Sequence, residues 1–148
     1  MTFELVIRKT STKKRDPKEL TTVDNMGDLI PLLKPISGSV VEHGIIICLD
    51  ADNHVLHTGV ISTGTKTSGM FDIQQVLKMV IMHDAHHFIF AHNHPTGNLK
   101  PSKADKRTFK RVKKAGHTIG CELSDSVIVC GNRLYGMKYK YEYDGDKR

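Results

Sequence analysis

Apolar and polar positions alternate along this chain in blocks that predict strands and helices in mixed order. Residues 40–49 are nearly continuous in Val, Ile and Cys, which predicts a strand covered on both faces. Residues 50–53 read as a turn and residues 54–62 as the returning strand of a hairpin. Asp72 then caps a helix carrying Ile73, Val76, Leu77, Val80 and Ile81 at helical spacing, and His83, Asp84 and Ala85 end it. Residues 87–94 open on an apolar run and predict a buried strand. Ser102 starts a further helix, with Asp105, Thr108, Phe109 and Val112 on its inner stripe. Residues 126–130 and 133–138 are two strands around a Gly131-Asn132 turn.

The flanks are less patterned. Residues 3–8 alternate well enough for an edge strand, and residues 11–17 are a polar, basic loop. Residues 27–34 form a short helix with Pro31 in its first turn, where proline is tolerated, and residues 35–38, opening on Pro35, end it. Residues 63–69 are a polar, glycine-containing loop, and residues 139–148 read as a polar tail. Mixed strands with helices packed on them predict an α/β sandwich.

Composition narrows the class. A length of 148 residues and 39% hydrophobic content describe one soluble domain with a proper core. The expected division is an N-terminal extension over 1–25, the domain over 26–139 and a polar C-terminal tail over 140–148. No apolar run is long enough to cross a bilayer and the N-terminus lacks a signal peptide, so a cytoplasmic location with no membrane association is expected. Cys48, Cys121 and Cys130 lie in apolar contexts and read as buried free thiols. The formal charge is +6, and eight of the residues from 100 to 114 are Lys or Arg, with Asp105 the one acid among them. These bases project away from the Phe109 stripe. A basic helix face over residues 103–114 fits a nucleic-acid partner, or simply a solvated surface.

The candidate chemistry sits between His92 and Asp105. Residues i and i+2 of a strand share a face, so His92 and His94 can present both imidazoles to one point. Ser102 is a natural N-cap, and Asp105 follows in the first turn. Ser-x-x-Asp alone is a common capping signature. Asp105, however, lies on the buried stripe, where a carboxylate needs a partner, and a metal ion is a good one. Two imidazoles and one carboxylate would leave a tetrahedral zinc with an open fourth position. Glu42, at the start of the first strong strand, reads from spacing alone as an exposed strand-end charge.

The string His-Asn-His-Pro-Thr-Gly at residues 92–97, followed by Pro101-Ser102 and Asp105, resembles the JAMM motif of MPN-type metallopeptidase domains. More narrowly it resembles the RadC subfamily, which carries a DNA repair label. The resemblance runs from about residue 26 to about residue 139. It takes in Glu42 ahead of the strand ending in Leu49-Asp50, the Gly-Thr-Ser loop within residues 63–69, and the strand at residues 125–129. It implies a cytidine-deaminase-like three-layer α-β-α sandwich with a mixed central sheet. It implies Zn²⁺ held by His92, His94 and Asp105, with Glu42 as general base and the Ser102 hydroxyl as donor to a developing oxyanion. It implies a metallopeptidase or isopeptidase acting on peptide or isopeptide-linked protein. Asn93 points to the opposite face and is expected to fix the turn, which Pro95 and Gly97 shape.

This chain departs from the family pattern at three places. Thr96 stands where serine is usual. Asp72-Ile73-Gln74 stands where His-Pro-Arg is common, and Asp125-Ser126 where Asp-His is common. Residues 1–25 have neither the length nor the glycine turns of the helix-hairpin-helix region that precedes the domain in full-length RadC proteins. A nucleic-acid-associated protein with a structural or inactive metal site is the alternative reading, and a metal-bound but inactive partner-binding module is a third. The remaining histidines, His43, His54, His57, His83, His86, His87 and His117, match no motif position and read as surface or packing residues.

Overall fold

Two central strands are apolar on both faces because helices cover both. In the computed structural model, which describes residues 21–61 and 71–147, helix α1 spans Leu29–Ser37 and strand β1 spans Gly44–Leu49. Strand β2 is Val55–Ile61, helix α2 Ile73–Met82 and strand β3 His87–Asn93. Helix α3 is Lys103–Thr118, and strands β4, β5 and β6 are Glu122–Cys130, Arg133–Gly136 and Tyr141–Asp144. The expectations for residues 3–8, for 11–17 and for the loop at 63–69 lie outside the described residues.

The six strands form one mixed sheet in the order β2-β1-β3-β4-β5-β6. Only the β3–β4 pair is parallel, and α3 supplies the crossover that a parallel pair requires. Along β1 and β3 the side chains alternate between two cores. Ile45, Ile47, Leu49, Ile89 and Ala91 pack with Leu29, Leu33 and Ile36 of α1. Ile46, Cys48, Phe88 and Phe90 pack on the other face with Val76 and Val80 of α2 and Val112 of α3. The result is the α/β sandwich that the pattern predicted, in the α-β-α form with a mixed sheet that the resemblance implied. Among the described residues no helix is long and apolar enough to cross a membrane.

Four local expectations change. The strand expected over 40–49 begins only at Gly44, and Val40 and Val41 stand exposed before it. Their segment bonds mainly to the Asn93 side chain of β3, with one backbone bond at His43, in place of a regular ladder. Pro35 does not end α1 but sits inside it. It forfeits one helical hydrogen bond and faces solvent, while Leu33 and Ile36 on either side are buried and hold the turn. The strand expected over 126–130 starts four residues earlier, at Glu122, whereas its partner stops at Gly136. Residues 141–144, expected within a polar tail, form edge strand β6, paired antiparallel to β5. Tyr141 and Glu142 are exposed while Tyr143 and Asp144 are half-buried, the mix of a sheet edge, which hydropathy does not distinguish from a tail.

Cys48 and Cys121 are buried and free, as expected, and Cys130 is half-buried. Burial pushes the Cys48 thiol up to about 12, helped by Cys121, and the Cys121 thiol up to about 11, helped by Glu122. Both therefore stay protonated near neutral pH and unreactive.

Candidate metal centre

His92 has the parity of Phe88 and Phe90 along β3, so its ring lies on the α2–α3 side of the sheet, where the first turn of α3 ends. His94 follows just past the strand. Its backbone amide donates to the Val129 carbonyl at 3.3 Å, and the turn closes with the Gly97 amide donating to the His94 carbonyl at 3.1 Å. Gly97 has φ of 82°, a left-handed conformation that favours glycine.

Three ligand groups converge. His92 Nε2 is 3.0 Å from Asp105 Oδ1, His94 Nε2 is 3.0 Å from Asp105 Oδ2, and the two Nε2 atoms are 3.2 Å apart. A carboxylate oxygen of Glu42 joins them, with all four ligand atoms within 4.8 Å of one another. Glu42, His94 and Asp105 line a cleft of about 390 Å³ together with Pro95, Thr96 and Ser102, while His92 is buried behind it.

The hydrogen bonds around the cluster fit a cation. His94 Nδ1 lies 2.6 Å from the Asn98 carbonyl oxygen, an acceptor, so Nδ1 carries a proton and donates it. In a neutral imidazole that leaves Nε2 as a bare lone pair facing a carboxylate oxygen and a second imidazole nitrogen. Acceptors this close repel unless a proton or metal lies among them. A tetrahedral ion with bonds of ~2.0–2.1 Å sets its ligands about 3.3 Å apart, close to these separations. The His94–Asn98 bond is also of the kind that orients a metal-ligating histidine.

Burial pushes the Asp105 carboxyl up, but the hydrogen bond and charge of His92, the Ser102 amide and the charge of His94 outweigh it and hold it well below the usual carboxylate range. Asp105 is thus a carboxylate, ready to ligate. His92 Nδ1 is buried and has no hydrogen-bond partner among the described residues. Phe71 and Phe90, each with its ring centre 5.8 Å from the imidazole, wall it in.

Ser102 plays its capping part. Its Oγ accepts from the Asp105 amide at 3.1 Å, and its own amide donates to Asp105 Oδ2 at 2.8 Å. From sequence Asn93 is expected to fix the turn that follows it, but its side-chain bonds run elsewhere. Its side chain is spent on the Ser39, Val41 and His43 backbone. The signal for this was a lone amide in a buried strand, which had to find partners somewhere. The part played by the Asn98 carbonyl left no signal, because any residue supplies one.

Among the described residues no other histidine joins this group of ligand atoms. His54 bonds Asp50, His57 stacks on His83, His87 meets Asn53 Oδ1 and His117 meets Glu122. Asp50, Asp52 and His54 form a second group of ligand types at the β1–β2 turn. There the Asp50 carboxylate already accepts from the Asp52 and His54 amides and from His54 Nδ1, which is turn chemistry.

Residues 23–142 match the family described as RadC-like JAB domain. A UPF0758 protein of Chlorobaculum tepidum is 36% identical over 97 residues, covering 66% of this chain and 44% of that protein. A UPF0758 protein of Rubrobacter xylanophilus is 38% identical over 97 residues, covering 66% of this chain and 42% of that protein. One from Finegoldia magna is 30% identical over 136 residues, 92% of this chain and 60% of that protein. The chain therefore spans 42% to 60% of the length of these three relatives.

Proposed function

The chain belongs to the RadC-like JAB domain family, and from that premise we propose that it is a zinc-dependent hydrolase of the JAMM type that cleaves peptide or isopeptide bonds. The observation that carries this is the convergence of His92 Nε2, His94 Nε2 and Asp105 within 3.0–3.2 Å, with the Glu42 carboxylate beside them in an open cleft. Two imidazoles and a carboxylate suit zinc, and Glu42 is left over for proton transfer. Zinc held there would polarise a substrate carbonyl and make water a competent nucleophile near neutral pH. Glu42 takes a proton from the attacking water and delivers it to the leaving amine. The Ser102 hydroxyl accepts from the Asp105 amide and still has its own proton to donate to the substrate oxygen that gains charge. The test is cleavage by zinc-loaded protein across a panel of peptide and isopeptide substrates. Glu42→Gln should lower turnover by ~10²–10⁴ with zinc retained, and undiminished cleavage in that variant overturns the reading.

A second reading, nucleic-acid association, is favoured by α3. Lys103, Lys106, Arg107, Lys110, Arg111, Lys113 and Lys114 are all exposed. None is paired with a carboxylate among the described residues. Duplex binding that falls steeply with salt and survives zinc removal supports this reading, and binding unchanged by Arg107→Glu with Arg111→Glu contradicts it.

A further inference from the structure

Strand β3, which carries His92 and ends one residue before His94, buries a carboxamide between them. Asn93 is 1% exposed, and strand alternation turns it to the α1 side, away from both imidazoles. Every hydrogen-bonding atom of its side chain is spent on one segment. Oδ1 accepts from the His43 amide at 2.7 Å, and Nδ2 donates to the Val41 carbonyl at 3.0 Å and the Ser39 carbonyl at 3.3 Å. The Asn93 backbone amide donates to the His43 carbonyl at 3.3 Å. These bonds bracket Glu42 from both sides, across a separation of 50 residues.

The segment so held has no helix or strand of its own, since residues 39–43 precede β1 and the β1–β3 ladder begins at Gly44 opposite His92. The carboxamide extends the pairing past the end of the ladder. Its position between the two imidazoles ties the place of Glu42 to the place of the metal ligands. A substitution at 93 alters neither a ligand nor Glu42 itself.

We propose that Asn93 is a positioning residue, which fixes Glu42 against the metal site so that one strand sets both. This rests on the zinc-hydrolase reading above. The two can fail separately, because the clamp is measurable without metal. In metal-free protein, Asn93→Ala should speed hydrogen exchange at the His43 amide by roughly ten-fold or more, while Ile46 and Phe90 in the neighbouring strands keep their protection. In zinc-loaded protein, acetohydroxamate serves as a probe that binds the metal and hydrogen-bonds the base carboxylate. Its affinity should fall in Glu42→Gln and by a similar factor in Asn93→Ala, with no further loss in the double variant and zinc still at about one per chain. Asn93→Ser, which keeps a polar group in the strand, is the second variant where alanine does not fold. Exchange accelerated evenly across β1 and β3, or additive losses in the double variant, makes Asn93 merely structural and overturns the proposal alone. Wild-type protein that takes up no zinc overturns the metal reading and this proposal with it.

Discussion

Asp105 Oδ2 accepts the Ser102 amide at 2.8 Å and stands 3.0 Å from His94 Nε2, so one oxygen serves both the helix cap and the His92–His94–Asp105 cluster. The start of α3 and the candidate metal site are thus one construction. Ser102→Ala removes the Oγ half of the cap. It should lower stability by about 1 kcal/mol, read by urea denaturation. Zinc should remain at about one per chain, because the Ser102 amide still holds Asp105. Unchanged stability would contradict the cap, and lost zinc would show that the hydroxyl, not the amide, sets the carboxylate.

Gly116 brings α3 close to the sheet. A Cβ there would stand 2.4 Å from the Cys121 carbonyl oxygen and 3.0 Å from the Phe88 ring. Helix propensity favours alanine over glycine by ~1 kcal/mol. The carbonyl is backbone and cannot swing aside, so the clash dominates. Gly116→Ala should be destabilising by about 1–3 kcal/mol in denaturant melts, and a more stable variant would contradict the close approach.

Asp125 gives a pH-dependent prediction. Burial raises its carboxyl above the ordinary 3.8, although the amides of Lys138 and Ser126 bond Oδ1 and pull the other way. A group with a raised folded-state pKa contributes stability below its unfolded value and loses it as pH rises through the folded one. Asparagine keeps the Oδ1 acceptor and never ionises. Asp125→Asn should therefore melt at or above wild type at pH 7, and that advantage should close as pH falls below about 4. A deficit that grows between pH 4 and pH 7 would contradict burial as the dominant cause.

Removing metal should uncouple the cluster from stability. Zinc at about a hundred times its dissociation constant should stabilise wild type by ~2.7 kcal/mol. His94→Ala should show no such gain, and an equal gain in that variant would place the zinc elsewhere.

The convergence of His92, His94 and Asp105 was legible in sequence because each part has a local signature. His92 and His94 follow an apolar strand run, a Pro-Thr-Gly turn comes next, and Ser102 and Asp105 bear the marks of a helix start. The sandwich was legible for a similar reason, since residues apolar on both faces of a strand must be covered twice. What stayed hidden depends on distant partners. Glu42 has no local mark, and what aligns it with the metal ligands is an amide 51 residues further along the chain, at Asn93. Pro35 obeys its tertiary neighbours over its own propensity. Residues 141–144 become a strand only because β5 offers an edge, and nothing in their polar composition announces it.

In the proposed function His92, His94 and Asp105 together hold one metal ion. The most direct test is the zinc content of purified wild type beside His92→Ala, His94→Ala and Asp105→Ala, each first shown to be folded. About one zinc per chain in wild type, lost in all three variants, is the predicted result. Wild-type protein that comes metal-free and cannot be loaded with zinc, or variants that keep their zinc, would contradict it.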